Sequence, residues 1–183
     1  MKRLIAVVLL AVALVTGCAD LPVVPTPTPP PRPEPGGAVD IDAAAWAASM
    51  CQAVDQLEQA VGDPTTGERS AAWQQFETAL TGADEEQLKA AANGVLGHLT
   101  DGSRAAQTAT GFTEGAAAAS EMQALMDGLA EGVRVLRDGT LSGTVSQVDE
   151  GRRSIDAAYE DHYEQALGQM SQVPLGGVVL PCG

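Results

Sequence analysis

Three residue types in this chain could do chemistry: three cysteines, two histidines and 24 acidic side chains. Imidazole and carboxylate together suggest a metal first, since di-iron sites in helical bundles take Glu-x-x-His pairs from inner helix faces. Here Val95 stands three before His98 and Tyr159 three before His162, so the pattern is missing. The zinc spacings His-Glu-x-x-His and Cys-x-x-Cys, and the calcium-loop spacing, are missing too. Glu160-Asp161-His162-Tyr163-Glu164 gathers three carboxylates and an imidazole within about one turn. Only Glu160 with Glu164, or Asp161 with Glu164, share a helix face, so a solvated face is expected there. Nucleophilic catalysis finds no Gly-x-Ser-x-Gly elbow and only His98 and His162 as imidazoles for a triad, and phosphate binding finds no glycine-rich loop. His98 is read as a helix-face residue near Asp101. The expectation is a protein without a catalytic motif, a metal site or a cofactor.

The thiols are more informative. Met1-Lys2-Arg3 is a basic start, Leu4 to Val15 is an unbroken apolar run, and Thr16-Gly17-Cys18 follows. As a helix, twelve residues would rise only about 18 Å, short of a hydrocarbon core of about 30 Å. The run therefore reads as a signal-peptide core rather than a membrane span. Leu14-Val15-Thr16-Gly17-Cys18 resembles the lipobox of bacterial lipoproteins, in which small residues before a cysteine admit the signal peptidase. The resemblance implies cleavage after residue 17, a lipid on Cys18 and a position on the extracytoplasmic face of a bacterial cell membrane. Acyl chains contribute about 0.8 kcal/mol per buried methylene, so two or three would hold the protein there without a basic patch. The alanine and arginine usage, with one lysine after the leader, also resembles the small uncharacterised lipoproteins of actinobacteria.

With Cys18 assigned to lipid, Cys51 and Cys182 remain as an even pair in an oxidising compartment, where a disulfide is the simplest fate. Two free thiols or an intermolecular bridge are the other possibilities. The same subtraction changes the charge. The whole chain is formally −14; without Lys2 and Arg3, 8 Lys+Arg face 24 Asp+Glu, or about −16. Nucleic acid and bare anionic lipid are poor partners for such a body, since both are bound through stripes of lysine and arginine. A basic envelope protein or a cation fits better, alongside the membrane itself through the lipid on Cys18.

Three segments must position these residues. Residues 1–17 are the leader. Residues 18–39 hold the lipidated cysteine and eight of the eleven prolines, which remove amide donors and fix φ. Polyproline II is the default there, a semi-rigid stalk on the order of 45 Å long.

Residues 40–183 read as an all-α domain, an antiparallel bundle of four to five helices with an irregular C-terminal strap. Asp42 caps a helix to Val61, ended by Gly62, with Trp46, Met50, Leu57 and Val61 on one stripe. A second helix is expected from Thr65 or Thr66, with Glu68 in a capping box and Trp73, Phe76 and Leu80 inside. A third follows Asp84-Glu85-Glu86 and stops at Asp101-Gly102, leaving Ser103 to Thr110 ambiguous. A fourth runs from near Thr113 through Met122, Leu125, Met126, Leu129, Val133 and Leu136 to Asp138-Gly139. A fifth spans Ser142 to Gln172.

The aromatic residues Trp46, Trp73 and Phe76 are expected in the core, the alternative being an aromatic-lined pocket near Met122 and Met126. Asp149-Glu150 and Arg152-Arg153 offer helix ion pairs. The apolar tail from Val173 to Gly183 reads as a strap over a groove, or as a segment gating a cleft. Function follows only at the level of class: a lipid-anchored, non-enzymatic binding or accessory module of the envelope. A small-ligand or cation carrier is the alternative, and a cell-wall hydrolase a weaker one.

Overall fold

Asp42 opens the first helix as its spacing predicts: the carboxylate accepts the amide of Ala45 at 2.8 Å. The computed structural model describes residues 41–64, 66–177 and 182. The leader, Cys18 and the proline-rich stalk lie outside the described residues. The fold is an all-α bundle with a single two-residue-by-two-residue hairpin. The helices are α1 (Ala43–Val61), α2 (Ala71–Thr81), α3 (Glu85–Ala109), α4 (Ala116–Ser142), α5 (Val145–Ala158) and α6 (Glu164–Met170). No helix among the described residues is long and apolar enough to cross a membrane.

Six sequence expectations are corrected by this arrangement. The second helix begins at Ala71, not near Thr65, because strands β1 (Gly62–Asp63) and β2 (Glu68–Arg69) intervene as a small antiparallel hairpin. Gly62 allows the hairpin: its φ is 106°, and a Cβ there would collide with the β2 backbone. Ser70, rather than a threonine, caps α2, accepting the amide of Trp73 at 3.0 Å while its hydroxyl donates to the carbonyl of Ala60 at 2.8 Å.

The hairpin goes out and comes back, so Ser70 returns to Val61, and α2 resumes the direction of α1 instead of reversing it. Both helices run antiparallel to α3. Ile41 bonds to Gly111 at one end of that pairing, and Gln56 meets His98 further along. The remaining half of α3 carries α2, with Ala72, Gln75 and Thr78 facing Gln87, Ala91 and Gly94.

The third and fourth expected helices both end too early. Helix α3 continues through Gly102 to Ala109, and α4 continues through Gly139 to Ser142. Each glycine is there for close approach, not termination: a Cβ on Gly102 would meet the Met126 side chain at 2.7 Å, and one on Gly139 the Val148 amide at 2.7 Å. The true stop of α4 is Gly143, in the left-handed region at φ 67°. The fifth expected helix is continuous in course but changes pitch, with a π turn over Tyr159–Tyr163 joining α5 to α6.

The core lies along the seam of α1, α3 and α4. Trp46, Met50, Phe76, Leu99, Met122, Leu125, Met126 and Leu129 are fully buried in it, and no polar or charged side chain is buried among the described residues. Alanine fills much of the remainder, for example Ala53, Ala60, Ala92, Ala106 and Ala119. The tail leaves α6 with Val173 and Leu175 half-buried against this core, and Cys182 is bonded to Cys51 of α1, 131 positions away. The disulfide pairing expected from the cysteine count is the one present. The rest of the strap, residues 178–181 and 183, lies outside the described residues.

Candidate functional site

The aromatic side chains separate into filler and wall. Trp46 is fully buried, donates its indole N–H to the carbonyl of Gly115 at 3.2 Å, and lies 6.0 Å from the Phe112 ring. Phe76, Met122 and Met126 are also sealed. They form the solid core, so the aromatic-lined pocket considered from the sequence is absent at those residues. Trp73 differs. One edge packs against Phe76 at a centroid distance of 5.8 Å, while its other side forms part of a surface trough.

The trough follows from the path of the chain. Helix α2 packs on α3 and leaves a gap between itself and α5, with α4 exposed at the bottom. In its main section Trp73, Glu77 and Leu80 of α2 face Arg152 and Ile155 of α5 and Tyr159 of the π turn, with Leu136 of α4 between them; the volume is about 510 Å³. A second section of about 350 Å³ continues from Leu80 and Arg152 past Val148 to Val145. A third, of about 270 Å³, continues from Arg69 and Tyr159 under the hairpin. Shared residues make the three sections one feature, running along α5 into the π turn from Val145 to Tyr159, about 21 Å at 1.5 Å per residue. It is open to solvent along its length. Another depression, of about 550 Å³ between α2 and α3, is lined by short neutral side chains such as Ala71, Gln75 and Gly94, which offer little to select a ligand.

Four cations outside the trough are paired: Lys89 with Glu85 and Glu86, Arg104 with Asp101 at 2.6 Å, Arg134 with Glu131 at 3.4 Å, Arg137 with Asp138 at 2.8 Å. In the trough, Arg69 lies over the Trp73 ring, 5.7 Å from its centroid, and Glu77 accepts the Trp73 indole N–H at 2.8 Å. Arg152 forms no ion pair among the described residues, and neither do Glu68, Asp149 and Asp156, which line the same feature. The expected helix pairs between Asp149-Glu150 and Arg152-Arg153 are therefore not formed. Arg153 donates instead to the backbone carbonyl of Asp149 at 3.3 Å.

Tyr159 stands where the main section meets the one under the hairpin. Burial pushes its phenol up to about 12, with the nearby Arg69 pulling weakly the other way, so the hydroxyl stays protonated and uncharged. Tyr163, stacked edge-on at 6.0 Å, is also raised, mainly by burial and then by Asp63, Glu164 and Glu58.

The other sequence candidates lie apart from the trough. His162 binds Glu121 of α4 at 2.8 Å through Nδ1, tying the π turn to the bundle, while Glu160, Asp161 and Glu164 are exposed. His98 pairs with Gln56 of α1 at 2.9 Å, not with Asp101. Among the described residues no three His, Cys, Asp or Glu side chains come together as a metal-binding group. Cys51 and Cys182 are consumed in the disulfide. Sequence reasoning missed the trough because its walls lie about eighty positions apart. The one local signal was the Trp73, Glu77, Leu80 spacing, which is also what a buried stripe would show.

The chain has no match among protein-family models, curated proteins or solved structures.

Proposed function

We propose that this protein is a lipid-anchored, extracytoplasmic helical module that binds another component of a bacterial envelope and does no chemistry of its own. The observation carrying the binding reading is the trough between α2 and α5: an apolar floor with unpaired charged side chains along it, outside a core that is fully packed. Paired surface charges are usually self-satisfied, whereas charged groups left without partners beside exposed apolar area are what a recognition surface presents. The anchoring reading is supported by the basic start, the apolar run and the Leu14 to Cys18 motif. The proline-rich segment would then act as a spacer between lipid and bundle.

Growth with an alkyne-tagged palmitate tests the anchor. Wild-type protein should be labelled and sediment with membranes, and Cys18→Ala should be unlabelled. A labelled Cys18→Ala, or an unlabelled wild type, overturns the anchor. A photoreactive amino acid at Thr81, on the trough lip, tests the binding reading. A discrete adduct in intact cells is expected, and its absence counts against the trough as the contact surface.

A further inference from the structure

We infer that the occupant of the trough is a basic amphipathic helix of a partner protein; this rests on the binding reading above and names the chemistry of its partner. The shape is the first argument. Helices α2 and α5 stand apart over α4, which leaves a channel about 21 Å long, the length of a fourteen-residue helix. A small molecule would be left largely in water in a channel open along its side, whereas a helix lays its apolar stripe on the floor and keeps its polar face in solvent.

The order of residues on the walls is the second. Val148 and Ile155 of α5 and Tyr159 at the start of the π turn recur at helical spacing, and Asp149 and Asp156 line the same channel. On the opposite side, Trp73 and Leu80 of α2 alternate with Glu77, and Glu68 stands at the hairpin end. Apolar residues inside with carboxylates on both sides are complementary to an apolar stripe flanked by lysine or arginine.

Charge is the third. The channel's carboxylates outnumber Arg69 and Arg152, and Arg69 is already engaged on Trp73. The whole chain is formally −14, so its field draws basic partners and repels acidic ones before contact. Arg152, between Asp149 and Asp156 on the same wall, marks one place where the helix carries a neutral or acidic residue. That exception gives register, since a uniformly basic helix would meet a like charge there.

A display library of randomised helical peptides, selected against the full-length protein at 0.15 M salt, tests this. The expected winners carry an apolar i, i+3, i+4, i+7 stripe flanked by Lys or Arg. Their affinity should fall at least tenfold in Asp149→Asn/Asp156→Asn. It should stay within about twofold in Asp55→Asn/Glu114→Gln, which changes net charge equally at positions that do not line the trough. All four positions are exposed, and unchanged circular dichroism and Tm would show that each variant folds. Acidic or neutral winners, no winners, or equal losses in the two double variants would each overturn the inference. An adduct through Thr81 whose contacting segment is not basic would do the same while leaving the binding reading intact.

Discussion

Tyr159 shows how one side chain can report on the whole trough. Its phenol is raised to about 12 by burial, above the ordinary 10 it regains on unfolding. The folded form therefore favours the protonated phenol. That contribution is fully present below pH 10 and is lost as pH rises towards 12. Tyr159 and Tyr163 are the only tyrosines, and both are raised, so the phenolate absorbance near 295 nm should appear late and together with loss of helix. A phenolate signal with midpoint near 10 in folded protein would contradict the burial of Tyr159. At this scale the caps were legible, because Asp42 and Gly62 act through backbone neighbours within a few positions. Ser70 was not, since the sequence Thr65-Thr66-Gly67-Glu68 offered an equally good capping pattern and only the hairpin pairing decides between them.

A helix boundary was legible at Gly62, whose positive φ ends α1, but Gly143, which ends α4, was read as part of the fifth helix, and glycines that serve a neighbour were read as stops. Gly102 and Gly139 resemble C-caps in sequence, yet each lies inside its helix where another element presses close. Gly151 of α5 has the same role, since a Cβ there would come within 2.5 Å of the Leu136 backbone nitrogen. Gly97 of α3 has open space around its Cβ position. The two should respond oppositely to alanine. Gly97→Ala should stabilise by about 0.8 to 1 kcal/mol through helix propensity alone. Gly151→Ala should destabilise by about 1 to 3 kcal/mol, because backbone must move. Urea unfolding of the pair would check this, and a stable Gly151→Ala would mean α4 and α5 can separate at little cost. The trough escaped sequence reading for a related reason. Its residues are ordinary on each helix, and only the spacing between α2 and α5 makes them a surface.

The bundle as a whole depends on one covalent link between its beginning and its end. In the chain-entropy account, closing 131 positions through Cys51 and Cys182 disfavours the unfolded state by about 5 kcal/mol. Cys51→Ser/Cys182→Ser should therefore lower Tm by about 10 to 20 °C, measurable by circular dichroism. A fall of a few degrees would mean that the alanine-rich core suffices by itself. The fold class was readable because periodicity is local. The parallel course of α1 and α2 was not, since it hangs on a four-residue pairing that returns the chain to its departure point.

The same link also governs load. Tension entering the bundle from its N-terminal side could peel away only Ile41 to Met50, about 35 Å of extended chain, before reaching Cys51. There it divides, one path continuing up α1 and the other crossing into the C-terminal tail. A partner seated between α2 and α5 would thus be pulled through two routes at once. If the chain is held through Cys18, as proposed above, the bundle is closed on itself, like a shackle, beside the point where the load would enter.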